Sequence, residues 1–190
     1  MNKINQIKQE LEEKEKVAIM YSGGVDSTLL AKLAYKTLEE NTIAITIKSN
    51  ITPEKEIKKS EEIAEKIGIK QRIIKVNELE KEHLKNNPPK RCYICRKTRD
   101  NKIKEEIGEE YNKIADGMNY TDLKDFRPGI KASNEDGIWH PFIQFKVTKE
   151  EIREYSKKLN LKTWNSPTTS CICSRFPYNF SITKERMEKV

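Results

Sequence analysis

The sequence predicts an α/β domain built on an open parallel sheet with helices on both faces. Three observations point there: short hydrophobic strands alternate with amphipathic helices along most of the chain, a glycine-rich turn lies between the first strand and its helix, and 190 residues suffice for one such domain with a core. Element by element, Ile4, Ile7 and Leu11 recur at helical spacing, so the chain opens with an amphipathic packing helix. A strand over Val17 to Tyr21 runs into Ser22-Gly23-Gly24-Val25-Asp26-Ser27, and the stripe Leu29, Leu30, Leu33, Ala34 marks a helix over Thr28 to Glu39. The alternation continues as strand Thr42 to Ile47, helix Pro53 to Ile67 closed by Gly68, strand Arg72 to Val76, helix Tyr93 to Ile107 and strand Lys113 to Ala115. Thr148 and Glu151 stand at capping-box spacing at the start of a further helix reaching Leu159.

Four stretches break the regularity: Ser49 to Thr52, Asn86 to Lys90 with its Pro88-Pro89 pair, Asn119 to Gly137 with an Arg127-Pro128-Gly129 turn, and Asn165 to Ser181. In an open α/β sheet, loops after the carboxyl ends of strands face the ligand crevice, so chemistry is expected in these stretches. There is no internal repeat and no low-complexity tract, and the whole of 1–190 reads as a single domain.

Hydrophobic and charged residues each make up 35% of the chain, a polar balance that still leaves clear apolar segments. The net charge of +7 favours anionic partners, and nucleotides, RNA and acidic surfaces satisfy it equally. Runs such as Lys58-Lys59-Ser60-Glu61-Glu62 interleave both signs and read as solvated helix faces. The first sixteen residues lack the apolar centre of a signal peptide, and no apolar run approaches the ~20 residues of a membrane span. A cytoplasmic protein with no membrane partner is expected, and in a reducing compartment four cysteines read as metal ligands or reactive thiols rather than as two disulfides.

The most specific signal is S-G-G-V-D-S between strand and helix. Gly23 and Gly24 permit a sharp turn and close approach of a ligand, the first-turn N–H groups point at an anion, and Ser22 and Ser27 add hydroxyls. Asp26 would repel phosphate unless a cation intervenes, which assigns it to Mg²⁺ and pyrophosphate. The loop lacks the lysine of the G-x-x-x-x-G-K-[ST] phosphate loop and belongs to a different class; the plain alternative is a structural turn capped by Ser22 or Asp26. The motif resembles the pyrophosphatase loop of the N-type ATP pyrophosphatases, with their adenine nucleotide alpha hydrolase-like, Rossmann-like fold. That resemblance implies cleavage of ATP between its α and β phosphates and adenylation of a substrate.

Cys92 and Cys95 form C-x-x-C, and Cys171 and Cys173 form C-x-C. Two close pairs far apart in sequence suggest a shared centre, and spacing alone leaves a structural zinc site and an iron-sulfur cluster level, with a redox dithiol behind both. A second resemblance separates them. N-P-P-K-R-C-Y-I-C at Asn87 to Cys95, D-G-M-N at Asp116 to Asn119, D-F-R-P-G at Asp125 to Gly129 and C-I-C-S-R-F-P-Y at Cys171 to Tyr178 resemble the LarE family in this order, covering nearly all of the chain from Val17 onward.

The LarE resemblance implies an adenylating sulfur transferase. It would activate a carboxylate of pyridinium-3,5-biscarboxylic acid mononucleotide with ATP and Mg²⁺ and convert it to a thiocarboxylate, towards the nickel-pincer nucleotide cofactor. Some members sacrifice one cysteine, whereas others hold a [4Fe-4S] cluster on three; here Cys92, Cys95 and Cys171 match the three, and sulfide or another sulfur donor is the implied second substrate. Cys173 falls where the family motif carries a small residue, so it is a spare thiol or a neighbour of the site. The same resemblance puts Arg175 beside the sulfur site as a carboxylate or phosphate ligand, with a surface ion pair as the bland alternative. Asp116 is expected to help with Mg²⁺ or nucleotide, Asp125 and Arg127 to order the following loop, and Ile47 and Lys48 to lie near the adenine.

His83 and His140 match no ligand motif and read as surface or packing residues. The family usually continues beyond the segment matching Ser181 to Val190 into a region for substrate binding and assembly, which the chain is expected to lack, although a homo-oligomer stays open. Two other readings compete with the carboxylate transferase: tRNA thiolation, disfavoured because no separate RNA-binding module is present, and a non-enzymatic ATP-sensing or metal-storage module.

Overall fold

The computed structural model describes residues 2–78, 82–167 and 171–189. Four strands form one parallel sheet: β1 (Val17–Met20), β2 (Thr42–Ser49), β3 (Gln71–Val76) and β4 (Lys113–Asp116), in the order β3-β2-β1-β4. The chain therefore builds outward from β1 to β3 and then returns to the other side of β1. Val17 pairs with both Thr42 and Lys113, and β1 and β4 end level at Met20 and Asp116 while β2 and β3 run on to Ser49 and Val76; the parallel strands put all four carboxyl ends on one edge.

The helices divide between the two faces because successive β1 side chains point oppositely. Val17, Ile19 and Tyr21 pack with α1 (Lys3–Lys14), α2 (Val25–Leu38), α3 (Glu54–Ile67) and α8 (Lys149–Lys158), through Ile7, Leu11, Leu29, Leu30, Ala64 and Ile152. Ala18 and Met20 face the other way, towards Ile103 and Ile107 of α5 (Arg91–Ile107). A side chain such as Ile7 or Leu11, fully shielded from water, contributes about 1.5–3 kcal/mol by burial. Among the described residues no helix is long and apolar enough to cross a membrane.

The expected elements are present, with two informative differences. Helix α2 begins at Val25, three residues before the expected Thr28, so the V-D-S of the glycine turn is itself the first helical turn. Asn119 to Gly137, read as irregular, instead contains a 3₁₀ turn (Tyr120–Lys124) and helix α6 (Pro128–Glu135). Pro128 is the reason: its fixed φ suits the first helical position, where the missing N–H costs nothing, so the R-P-G segment starts a helix rather than closing a turn. Among the described residues the remaining α-helices are the short α4 (Glu82–Lys85), α7 (Pro141–Gln144) and α9 (Lys184–Glu188). Thr148 and Glu151 do form the capping box at the start of α8.

Candidate active site

The phosphate loop sits at the carboxyl edge, directly after β1. Tyr21 continues the ladder, its N–H donating to Ile45 at 2.8 Å, and the chain then turns at Gly23 with φ of +72°. A Cβ on Gly23 would lie 3.0 Å from the Cα of Ser60, so both the backbone angle and the neighbouring helix α3 demand glycine. Gly24 is the N-cap of α2 and has no side chain with which to cap it, which leaves the helix N-terminus to an anion. The hydroxyls of Ser22 and Ser27 lie 3.1 Å apart across the mouth of the loop, and Ser27 Oγ also accepts from Ser22 N at 3.2 Å.

Asp26 projects from the first turn of α2 and is held by two partners that the sequence did not advertise. Lys149, the first residue of α8, forms an ion pair with Oδ2, and Asn119 Nδ2 donates to Oδ1 at 3.3 Å. Asn119 is buried and also caps its own 3₁₀ turn, so the D-G-M-N segment is locked against the loop. Gly117 in that segment approaches so closely that a Cβ there would stand 2.8 Å from Ser27 N.

The thiols of Cys92, Cys95, Cys171 and Cys173 line one cavity of about 230 Å³, together with Glu78, Arg91, Arg96, Arg99 and Met118. Cys92 and Cys95 are on the first turns of α5, and Arg96 and Arg99 share their helical face at spacings of three and four. The distant tail is clasped onto this helix by Arg91 and Asn87. Arg91 Nη1 donates to Asn87 Oδ1 at 2.5 Å and to the carbonyl of Cys173 at 2.6 Å, while Asn87 Nδ2 donates to the carbonyl of Pro177 at 2.8 Å. Those contacts carry the turn Ile172–Arg175 and its flanking Cys171 to the thiols of α5.

Charge in the cavity is unevenly placed. Glu78 is buried; its Oε1 accepts from Arg99 Nε at 2.5 Å and from the Cys95 thiol at 3.2 Å, and its Oε2 has no hydrogen-bond partner. Burial pushes the Cys95 thiol up to about 12. The hydrogen bond from Cys173 draws Cys171 below the usual thiol range against the effect of burial, and the same bond raises Cys173. Cys171 is thus the readiest thiolate of that pair. Among the described residues no three His, Cys, Asp or Glu side chains converge tightly enough to hold a single ion. The four cysteines line the cavity without forming such a group.

Arg96 joins the two halves. Its Nε donates to both oxygens of Asp100 at 2.7 and 2.8 Å, and its Nη2 lies 2.7 Å from Asp116 Oδ2 and 3.2 Å from the sulfur of Met20. Asp116, at the end of β4, also binds His140 Nδ1 at 2.5 Å and Met118 N at 3.1 Å. Burial alone would raise its carboxyl, but His140 and Arg96 outweigh burial and hold it below the ordinary carboxylate range. Ser133 Oγ stands 3.0 Å from His140 Nε2, a Ser-His-Asp array in outline. Ser133 is wholly buried and its hydroxyl donates to the carbonyl of Ile130 at 2.9 Å, so the array is packing, and His140 is an interior packing residue. His83 has its side chain outside the described residues.

The remaining candidates are scattered. Lys48 pairs with Glu54 near the end of β2, and Ile47 packs against the α5 face of the sheet. Arg127 bridges Asp122 and Asp125, ordering the loop before α6. Arg175 is exposed at the end of the turn that bears Cys173. Lys149, Asn119, Glu78 and Arg91 were not singled out from sequence; for the α5 arginines the shared face with Cys92 and Cys95 was the available signal, and for Glu78 there was none.

Comparison with known proteins agrees with this geometry. The chain is 37% identical over 191 residues to an uncharacterized protein of Synechocystis sp., spanning 100% of this chain and 71% of that protein. It is 31% identical over 184 residues, 95% of this chain and 66% of its counterpart, to the pyridinium-3,5-bisthiocarboxylic acid mononucleotide synthase of Lactiplantibacillus plantarum. Among solved structures, the NH3-dependent NAD synthetase of Campylobacter jejuni superposes with a TM-score of 0.66 at 17% identity, covering 91% of this chain and 78% of that one. The U34-tRNA thiolase NcsA of Methanococcus maripaludis, solved with its [4Fe-4S] cluster, superposes with a TM-score of 0.61 at 22% identity, covering 89% and 68%. The profile of the NAD synthase family matches residues 1–114, and with the phosphate loop and parallel sheet in place the chain belongs to that family of N-type ATP pyrophosphatases.

Proposed function

We propose that this chain is one ATP pyrophosphatase domain acting as an ATP-dependent sulfur transferase. It adenylates a carboxylate of pyridinium-3,5-biscarboxylic acid mononucleotide and exchanges the activated oxygen for sulfur. The observation that carries the reading is the shared loop between the two halves of the site: Met118 lines the thiol cavity, while Gly117 and Asn119 press against Asp26 and Ser27. The name of the Lactiplantibacillus plantarum relative supports the substrate class.

In this reading the N–H groups of Gly24 to Ser27 and the two serine hydroxyls bind the ATP phosphates. Asp26 would hold Mg²⁺, whose charge would neutralise pyrophosphate, and Lys149 would then turn from Asp26 to the phosphates. The substrate carboxylate attacks the α-phosphorus, and the bond from that phosphorus to the bridging oxygen breaks. Sulfide then attacks the acyl carbon, and AMP leaves with the former carboxylate oxygen. Cys92, Cys95 and Cys171 would hold a [4Fe-4S] cluster, which with three protein ligands supplies one iron able to present sulfide. Arg99 and Arg91 offset the negative charge that gathers as the thiols ionise, and Arg175 receives an anionic group of the substrate. A reducing cytoplasm keeps the thiols available, and a homo-oligomer completes the assembly.

The test is anaerobic reconstitution with iron and sulfide, then mass analysis of the mononucleotide product after addition of ATP and Mg²⁺. One sulfur replaces one oxygen in the wild type, and Cys92→Ala, Cys95→Ala and Cys171→Ala each abolish the exchange. Stoichiometric zinc without iron, or sulfur delivered to tRNA but not to the mononucleotide, would overturn the proposal.

A further inference from the structure

A single apolar side chain in water needs no explanation, but a row of them on a braced turn does. Tyr120, Leu123 and Phe126 are all exposed, Phe126 at 89%. They recur every third residue through the 3₁₀ turn and its exit, a spacing that sets side chains above one another on one side of such a turn. The segment is tied down along its length. Tyr120 N donates to the carbonyl of Val147 at 2.9 Å, and Ile130 N donates to the carbonyl of Arg127 at 3.0 Å. Arg127 pairs with Asp122 at 2.9 Å and with Asp125 at 3.4 Å. Both chain neighbours of Phe126 are thus held by ion pairs while its ring stands in solvent. The row also has a telling place, in the connection that leaves β4 on the carboxyl edge of the sheet. Asn119, where the turn begins, bonds Asp26 of the phosphate loop, and Gly129, just beyond its exit, lines the thiol cavity. Three residues part Phe126 from Gly129, at most about 11 Å of chain.

We infer that Phe126 is a specificity-determining residue whose face receives the cationic pyridinium ring of the mononucleotide. The inference rests on the substrate class proposed above. A substrate that touches both the phosphate loop and the cavity comes within reach of this ring, because the segment bearing it connects the two. The face of a phenyl ring is electron-rich, so it attracts a positively charged flat ring more strongly than a neutral one such as adenine. Phenylalanine offers no hydrogen bond and no charge, so it reads the ring and its charge and leaves the carboxylates to other groups. A side chain whose backbone is already braced also loses little freedom when a ligand settles on it. Phe126 makes and breaks no bond in the reaction; it decides which ring is held beside the adenylating loop.

The experiment measures equilibrium binding by calorimetry to wild type, Phe126→Leu and Phe126→Trp, with no iron added and with no turnover required. Three probes are titrated: pyridinium-3,5-biscarboxylic acid mononucleotide, the same molecule with its ring reduced to the uncharged dihydropyridine, and ATP with Mg²⁺. Circular dichroism establishes folding, and sedimentation the state of association. Phe126→Leu should bind the cationic mononucleotide roughly tenfold more weakly than wild type, while Phe126→Trp binds it at least as tightly. The reduced ring should bind all three proteins alike, and the affinity for ATP should not change, two results that a merely structural role for Phe126 would not produce. Unchanged affinity of the leucine variant for the cationic mononucleotide would overturn the inference, as would a loss shared equally by the reduced ring. Weakened ATP binding would mark the ring as an adenine platform, and a dimeric wild type made monomeric by Phe126→Leu would mark it as a contact between copies; either overturns the inference. Wild type that binds ATP but not the mononucleotide would sink the proposed substrate and this inference with it, whereas wild type that binds both, with Phe126→Leu indistinguishable from it, removes only the inference.

Discussion

At the residue scale the least expected partnership is Lys149 with Asp26. An ammonium resting on the carboxylate that the proposal assigns to Mg²⁺ would compete with the metal, and on that mechanism it would turn to the phosphates when the metal binds. Lys149→Met should therefore act in two directions. Mg²⁺ binding to the nucleotide-free protein, followed by calorimetry, becomes tighter, while ATP–pyrophosphate exchange slows by about 10²-fold for loss of one preorganised cation. A variant that merely loses both properties together would point to misfolding. The sequence made Ser22 to Ser27 legible because glycine, hydroxyl and carboxylate lie within six consecutive residues. It made Cys92, Cys95 and Cys171 legible through short spacings. Lys149 and Glu78 were hidden because each meets its partner only through the fold, and an isolated lysine or glutamate in a chain so rich in charge carries no local signature; Asn119 stood within the D-G-M-N motif, but its contact with Asp26 arises only through the fold.

At the scale of elements, α5 depends on a charge arrangement that one substitution would expose. Arg96 is the shared counter-charge of Asp100 and Asp116, both buried. Arg96→Met keeps the length of the side chain but strands both carboxylates, and urea unfolding should record a loss of about 3–5 kcal/mol. The acid limb gives an independent check. Because Asp116 is held below the ordinary carboxylate range, its stabilising contribution is complete above about pH 4 and is lost as pH falls through its lower folded value. Removing Arg96 releases one cause of that depression, so the loss attributable to Asp116 should begin at higher pH. Asp100, raised first of all by burial against the pull of Arg96, works in the opposite sense and blunts the effect. Strand and helix identities were readable from apolar periodicity, since the sheet is buried on both faces and each helix has one core-facing stripe. Helix α6 was not: Arg127-Pro128-Gly129 has the composition of a turn, and the same Pro128 also suits a first helical position, in a helix that packs against α5.

At the scale of the whole molecule, the strand order reverses direction between β1 and β4, and a sheet that is extended first to one side and then to the other leaves a crevice at that junction. The phosphate loop leaves β1 and the D-G-M-N loop leaves β4, so the crevice is bounded by the two segments that meet at Asp26. Nucleotide binding should accordingly be felt at the thiols. Addition of ATP with Mg²⁺ is expected to slow backbone hydrogen exchange not only over 22–27 but also over 116–119 and the first turns of α5, read by mass spectrometry. Protection confined to 22–27 would show that the two halves respond separately. The parallel architecture was predictable from the alternation of elements, but the meeting of residues 92–95 with 171–173 was not, because nothing in either segment encodes the Asn87 and Arg91 contacts that join them.

That clasp also sets an order of events during biosynthesis. Cys171 follows every strand in the chain, so a polypeptide emerging from the ribosome can close its sheet and shape its anion-binding turn while still owning only two of the three matched sulfurs. On the proposed reading, inorganic loading would wait until the tail has been made and Arg91 has captured it, and a nascent chain would be spared from trapping iron in an unfinished centre.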